Sequence, residues 1–455
     1  MKLTTNKTKL TLKDIQDAVR AHDNDARHKL KLKAYYNGKH SILQKRGRDN
    51  TDVNNKLVSN YAAYISNIST GFFIGQPITY KSMTNEKGLE ALIDIYKYND
   101  EAAHNVELAE ESSVAGEAYE FLYLDGDANI RMATVPSEEI ILICDTTLEE
   151  NILFAIRHYR IYGFDQVTYE EFVDVYDARE VSHYSATGGS FKLESTEPHY
   201  FDDVPIVEYP NNRQHRGDFE DAITLIDAYN MAQSLTLDDL QDFTDAFLVL
   251  KNMHLGFGGN EEEGNRAACE LRKRKILEVE ENGGAEWLIK NLNDTYVENV
   301  KTRLQKDIHK FSNIPDMSDD SFAGNTSGVA IKYKLIGLEQ IRSRKEREFK
   351  KALQRRIELI SGMLKLKSLP PVDFREVDIQ FTANIPANLT EQAQLVTTLD
   401  GLISQKTLLG LLPFITEPEK EIEELQTEQA EKMSAAKYET EHNHSEGDFD
   451  EEETA

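Results

Sequence analysis

Cysteine is almost missing: Cys144 and Cys269 are the two thiols in 455 residues. Two are too few to frame a disulfide-stapled fold, and so low a count suits a reducing cytosol. No stretch approaches the roughly 18 apolar residues of a membrane span. The opening Met1-Lys-Leu-Thr-Thr-Asn-Lys7 lacks the apolar segment of a secretory leader. A soluble protein that is not exported is expected. Catalytic motifs are also missing. There is no Walker loop, no H-E-x-x-H, no G-x-S-x-G and no Cys/His pair at zinc spacing, and Gly256-Phe-Gly-Gly-Asn-Glu261 fails the dinucleotide pattern at its last position. Positive charge is scarce. Lys and Arg total 52 against 80 Asp and Glu, a formal charge of −28. A surplus of that size opposes tight, sequence-specific DNA binding.

What is present is enough apolar material, 40% of residues, for two or more cored domains. The acidity is uneven. Residues from Glu417 to Ala455 hold fifteen acids and three lysines, a net charge of −12. The final stretch, Tyr438 to Ala455, is polar and acidic enough to be expected as a disordered tail.

Periodicity sets out the elements. Thr11 and Asp14 form a capping box for a helix running to about Tyr36 before Asn37-Gly38. From Asn55 to Phe73, Leu57, Tyr61, Tyr64, Ile65, Ile68 and Phe72 recur at helical steps. Between Glu117 and Tyr209 the period falls to two. The sequence there predicts a hairpin about Asp125-Gly126-Asp127 and strands at Ile140–Cys144, Leu153–Tyr162, Val167–Tyr176 and on either side of Gly188-Gly189. Asp218 to Lys251 then reads as one long helix or a broken pair, roughly 45 Å if continuous. Asn252 to Asp294 is short and mixed, with the basic run Arg272-Lys273-Arg274-Lys275 and a hairpin near Asn282-Gly283-Gly284 leading to Trp287.

A helix over Tyr296–Phe311 is followed by a stretch of turn-forming residues, Pro315 to Ser327. The longest predicted helix covers Gly328 to about Leu366, and a strand follows at Val377–Ala383. Helices near Leu389–Leu399, Ser404–Leu412 and Pro418–Lys437 close the pattern, separated by Gly401 and Pro413.

Candidate chemistry is thin. His442, His444 and Glu446 have metal-binding side chains but fall in the tail, where no preformed site is expected. The pairs Asp202-Asp203, Asp238-Asp239 and Asp319-Asp320 suggest two-metal phosphoryl transfer, yet sequence neighbours point apart and acidic pairs are ordinary solvated surface. Arg272 to Lys275 suits phosphates, an acidic partner or plain solvent. The cations Arg342, Arg344, Lys345, Arg347, Lys350, Lys351, Arg355 and Arg356 are interleaved with Glu339, Glu346 and Glu348. That row fits helix-face pairing or an acidic neighbouring subunit at least as well as DNA.

Several blocks, taken in order, resemble one family. They are Tyr35-Tyr-Asn-Gly-Lys-His-Ser-Ile42, Asn54-Asn-Lys-Leu-Val-Ser-Asn60, Gly71-Phe-Phe-Ile-Gly-Gln-Pro-Ile-Thr-Tyr80, Gly116-Glu-Ala-Tyr119, Val135-Pro-Ser-Glu-Glu-Ile140, Gly217-Asp-Phe-Glu220, Leu225-Ile-Asp-Ala-Tyr-Asn230 and Pro315-Asp-Met-Ser-Asp-Asp-Ser-Phe-Ala-Gly-Asn-Thr-Ser-Gly-Val-Ala-Ile331. Together they are similar to the portal proteins of long-tailed phages of Gram-positive bacteria, over roughly Leu30 to Glu417.

The resemblance implies an α+β, mainly helical fold. It has an α/β wing (residues 1–212), a first stem helix (213–251), a small mixed clip (252–294), a second stem helix (295–314) and a tunnel loop (315–327). A long kinked helix with a strand returning to the wing (328–388) and a helical crown (389–437) complete the plan, ahead of the tail. It implies a ring of about twelve copies passing double-stranded DNA without sequence specificity. The implied partners are the terminase large subunit, head–tail connector or adaptor proteins, and major capsid and scaffolding proteins. Neither enzymatic activity, cofactor, metal nor membrane is implied. Asp316, Ser318, Asp319, Asp320, Ser321, Phe322 and Asn325 would line the channel constriction. Arg272, Lys273, Arg274, Lys275 and Trp287 would serve the clip. The rival expectations are another oligomeric head or tail adaptor, and a Mg²⁺-dependent nucleic-acid enzyme using the acidic pairs.

Overall fold

The computed structural model describes residues 2–47, 53–82, 84–187, 190–242, 247–251, 284–288, 294–317, 331, 333–382, 389–410, 412, 415 and 418–445. The chain divides into two compact units, Met1–Asn384 and Ile385–Ala455.

The first unit opens with strand β1 (Lys2–Thr4) and helix α1 (Leu12–Tyr36). The Thr11/Asp14 capping box is formed: the Asp14 amide donates to Thr11 Oγ1 at 3.3 Å, and the Thr11 amide donates to Asp14 Oδ2 at 2.9 Å. Two helices that periodicity did not reveal, α3 (Glu86–Tyr98) and α4 (Glu101–Ala115), follow α2 (Tyr61–Ile74). The β region matches the alternation closely. Strands β3 (Glu117–Leu124) and β4 (Ile130–Val135) form the expected hairpin. Strands β5 (Ile140–Cys144), β6 (Ile152–Tyr162), β7 (Tyr169–Tyr176), β8 (Glu180–Thr187) and β9 (Ser190–Pro198) make an antiparallel run.

Strand β1 adds to the free edge of β5 in parallel, completing a six-stranded sheet. Its one face packs Ile141, Ile143, Phe154, Ile156, Val173 and Val175 under Ile15 and Ala18 of α1. The other packs Leu142, Ala155 and Tyr176 against Tyr119, Val135 and Ile206 of the three-stranded sheet β10 (Ile206–Pro210), β3 and β4.

Two expectations need correction. The helix expected from Asn55 starts at Tyr61, capped by Asn60, whose side chain accepts from the Ala63 amide. Residues 54–60 run extended along helix α5 (Ile223–Asp242) instead. The amides of Asn55, Leu57 and Ser59 donate to Asp238 Oδ1 (2.7 Å), Ser234 Oγ (2.9 Å) and Asn230 Oδ1 (2.8 Å). The registers fit, because two extended residues advance about 6.6 Å and four helical residues about 6.0 Å. Buried polar side chains on α5 thus replace the amide partners that a helix would have supplied.

The long helix expected to reach Lys251 is shorter for a similar reason. It stops at Asp242, and Phe247–Lys251 is strand β11, paired antiparallel with β12 (Gly284–Leu288). A short apolar run of β-formers fits helix or strand by periodicity alone, and the cross-strand partner decides. Gly284 pairs with Lys251, so it belongs to a strand and not to a turn.

Helix α6 (Asp294–Ser312) agrees with its expectation, and helix α7 (Ile336–Leu366) ends where expected. Ile331, Tyr333 and Lys334 are already helical, and a turn at Leu335 separates them from α7. Strand β13 (Asp378–Gln380) pairs with β2 (Thr79–Lys81), tying the chain that leaves α7 to the chain that leaves α2. In the second unit, helices α8 (Leu389–Leu399), α9 (Gln405–Leu409) and α10 (Pro418–Ser445) follow the predicted series. Helix α10 continues past Lys437 to Ser445, so this part of the expected disordered tail is helical. The strong helix formers Glu, Gln, Ala, Lys and Met dominate residues 419–437. The helix propagates from them into the more polar 438–445, since extending a formed helix costs less than starting one.

The largest core surrounds the second half of α7. Phe349, Leu353, Ile357, Ile360, Met363 and Leu364 pack with Phe73, Leu92, Leu108, Leu122 and Tyr209. Amid them Arg356 is wholly buried. Its Nε donates to Glu120 Oε2 (2.9 Å), Nη1 to Glu101 Oε1 (3.2 Å) and Nη2 to Asn105 Oδ1 (2.9 Å). Tyr209 Oη also donates to Glu120 Oε2 (2.8 Å), and His104 Nε2 lies 2.9 Å from Glu120 Oε1. Burial opposes the charge on Glu120, but Arg356 and His104 outweigh it and hold the carboxyl down at about 2.

Removing the guanidinium leaves Glu101 and Glu120 buried without their arginine partner, with His104 alone remaining beside Glu120, a cost of about 3–5 kcal/mol. An Arg356→Met variant should lose that much stability in urea unfolding at pH 7. Glu120 has a folded value below its ordinary 4.5. Its stabilisation is therefore complete above about pH 4.5 and fades as pH falls toward 2. Wild-type stability should drop through that window, and Arg356→Met should show a smaller drop, because His104 remains beside Glu120.

Candidate functional site

Residues 315–327, expected as a loop, leave from a well-packed root. Helix α6 lies beside α5, and a single core holds Ile308 and Ile314 before the loop and Leu335, Leu338 and Ile341 after it. Ala62 and Ile65 of α2 and Ile226 of α5 complete that core. The chain turns out of α6 at Asn313, whose φ of 56° is left-handed. This is the conformation a helix needs to stop, and Asn tolerates it better than most side chains do.

Polar groups then fix residues 314–317 one by one. His309 Nδ1 lies 3.0 Å from the Ile314 carbonyl oxygen, and Gln305 Nε2 donates to Asp316 Oδ2 at 2.9 Å. Tyr64 Oη donates to the Pro315 carbonyl (3.2 Å) and accepts from the Met317 amide (3.0 Å). His309 is boxed by the edges of Tyr61 and Tyr64, at ring-centre distances of 5.8 and 5.7 Å, and Tyr229 meets Tyr61 at 5.4 Å. Burial raises the phenol of Tyr64 above its ordinary value, so it stays protonated and able to donate at neutral pH. The Asp316 carboxylate is 3.7 Å from His309 Nε2. The root can therefore hold residues 314–317 in one position, with the Asp316 carboxylate at its base.

Of the expected constriction residues, Asp316 is the one the structure describes, and it is anchored as above. Ser318, Asp319, Asp320, Ser321, Phe322 and Asn325 lie outside the described residues, as do Arg272, Lys273, Arg274 and Lys275. Trp287 sits in β12 opposite Leu248. Sequence reasoning missed the anchors Gln305, His309, Tyr61 and Tyr64. The two tyrosines were visible only as members of an apolar helix stripe, and nothing in their spacing marks the hydroxyl that reaches across 250 residues of chain.

The acidic pairs Asp202-Asp203 and Asp238-Asp239 do not converge, and Asp319-Asp320 lies outside the described residues. Asp238 is buried against Lys45 and Asn55, while Asp203 pairs with Arg355 at 2.7 Å. Among the described residues, one group has metal-ligand donors within 4.8 Å of one another: Glu117, Glu208 and His215. Its carboxylates are already matched by cations. Lys29 donates to Glu117, Lys2 lies 2.7 Å from Glu208, and His215 Nδ1 is 2.6 Å from Glu117. Such a set opposes a further cation and instead fastens the N-terminal strand and the 211–217 turn to β3 and β10.

The hydrogen bond to Glu117 raises the His215 imidazole above its ordinary value of 6.5, against the effect of burial. Its stabilising contribution is therefore complete below about pH 6.5 and is lost as pH rises through the raised folded value. A His215→Ala variant should lose about 1 kcal/mol at pH 6, measured by urea unfolding, and clearly less at pH 9. Tyr64→Phe should leave the melting temperature nearly unchanged while speeding proteolysis within residues 318–330 several-fold. Unchanged cleavage would show that Tyr64 does not hold the loop root.

Comparison with known proteins covers most of the chain. The family profile described as phage portal protein, SPP1 Gp6-like, matches residues 16–435. A portal protein of Clostridium phage phiCD119 is 25% identical over 442 residues, covering 91% of this chain and 95% of the relative. A portal protein of Bacillus phage SPP1 is 24% identical over 401 residues, covering 84% of this chain and 77% of the relative. Among solved structures, a chain from the neck of an empty GTA particle, computed with C6 symmetry, aligns with a TM-score of 0.47 at 13% identity. The alignment covers 77% of this chain and 90% of that one.

Proposed function

Since the chain belongs to the SPP1 Gp6-like family of phage portal proteins, we propose that it is a subunit of a ring-shaped channel at one capsid vertex. About twelve copies close around an axis through which double-stranded DNA is packaged, retained and ejected. The ring is assembled in the host cytoplasm and carried in the virion. The terminase large subunit docks on it during packaging and head–tail connector proteins afterwards, with major capsid and scaffolding proteins around its rim. The observation that carries this reading is the family match across residues 16–435.

The architecture supports it. Paired helices α5 and α6 flank the short sheet β11–β12, which suits a stem ending in a clip. The loop rooted at Asp316 leaves between α6 and α7, where a constriction element would be mounted. Residues 1–212 with the strand returning after α7 would be the wing, and residues 389–437 the crown.

Charge fits the task. A wall that bound phosphates tightly would trap a duplex that has to slide, whereas net negative charge keeps the duplex off the wall. The same charge provides no motive force, and the sequence has no nucleotide-binding loop. Hydrolysis of ATP therefore belongs to the terminase, and this chain acts as conduit and docking platform.

Electron microscopy of the purified full chain should show rings with an axial hole, and the same preparation should hydrolyse no ATP. Deleting Asp319–Ala323 should impair DNA packaging or retention in particles while rings still form. A chain that stays monomeric at high concentration and beside capsid proteins would overturn the reading. Unaffected packaging and retention would remove the loop from it.

A further inference from the structure

Eight cations punctuate the first two-thirds of α7, and six are committed inside the chain. Arg342 pairs with Glu339 and Glu346, Lys345 with Asp218, Lys350 with Asp378, Lys351 with Glu348, Arg355 with Asp203 and Glu358, and Arg356 with Glu101 and Glu120. Arg344 and Arg347 are exposed and have no ion pair or hydrogen bond among the described residues. Three positions apart, they share one helix face. Lys351, four residues on and 69% exposed, extends the row. Arg344 also borders a polar cleft lined by Asn212, Gln214 and Arg216.

Helix α3 carries the opposite pattern. Glu86, Glu90 and Asp94 are exposed, lie four residues apart, and likewise have no ion pair among the described residues. Like charges at that spacing repel one another within a helix, and an opposing positive face on another copy would relieve that repulsion. The two stripes match in length, about 10 Å from Arg344 to Lys351 and about 12 Å from Glu86 to Asp94. Both belong to the same compact unit, and there Arg344, Arg347 and the three acids find no ion-pair partner among the described residues.

We propose that the Arg344–Arg347–Lys351 face of one copy docks on the Glu86–Glu90–Asp94 face of α3 in the next copy. The inference rests on the ring reading and specifies its contact. A ring needs a heterologous interface, two different patches on each subunit that complement each other. Two exposed stripes of opposite sign, one led by two unpaired arginines, provide such a pair. In a chain of net charge −28, unmatched arginines are the scarce component, so they set orientation and register more than they set bulk affinity.

The test is a charge exchange in the full-length protein, with assembly followed by light scattering and electron microscopy across a salt series. Arg344→Glu with Arg347→Glu should raise the concentration needed for ring formation by roughly tenfold or more, and Glu90→Lys with Asp94→Lys should do the same. The four substitutions combined should recover most of that loss. All four positions are exposed, so an unchanged melting temperature confirms that each variant folds.

Pair variants that assemble like the wild type would overturn the inference, as would a four-fold variant with no recovery. Normal assembly with weakened binding to double-stranded DNA would also overturn it, by assigning the arginines to phosphate. Wild-type protein that never forms rings would defeat the ring reading itself, a result distinct from all of these.

Discussion

A guanidinium with no access to solvent organises the first unit. Arg356 is anchored on α7, and its partners come from α4 (Glu101, Asn105) and β3 (Glu120), with Tyr209 of β10 closing the set. This arrangement satisfies one planar donor fork and two carboxylates together. A misplaced helix would leave a bare charge in the apolar interior, at a cost of several kcal/mol. The surrounding leucines and isoleucines provide the driving force, and the ion network restricts the ways they can be packed.

The same helix carries three different environments along its length. Its beginning, with Leu338 and Ile341, helps to close the root of the loop. Its exposed arginines face outward, and its end is enclosed in the main core around Arg356. A helix of 31 residues thus links the root at residues 314–317 to the main core of the unit. Tyr64 and His309 complete the mounting from α2 and α6, so the loop base is fixed by helices from both ends of the unit.

Much of this was legible in the sequence where a local rule was decisive. The Thr11/Asp14 box placed α1, alternation placed β3 to β9, and the turn-forming residues from Pro315 followed the helix read over Tyr296–Phe311. Local rules failed where a distant partner decided the outcome. Leu57 fits a helical stripe, yet its amide goes to Ser234, 177 residues away. Phe247–Lys251 fits a helix until β12 offers a ladder. Helices α3 and α4 went unread, because α4 is buried around much of its circumference and shows no clean apolar face. The candidate site was legible as a composition, a turn-rich segment beginning at Pro315, but its anchors were not. Hydroxyl and imidazole groups that bind backbone across the fold leave no periodic trace.

The seam between residues 54–60 and α5 has a mechanical consequence. Its three hydrogen bonds are spaced like teeth on a rack, one for every turn of helix, and all the acceptors are buried. Sliding α5 by less than a full tooth strands three amide protons at once, each at about 1–3 kcal/mol. Strand and helix must therefore travel as one part under axial load. A push along α5 would reach the neighbouring helices undamped.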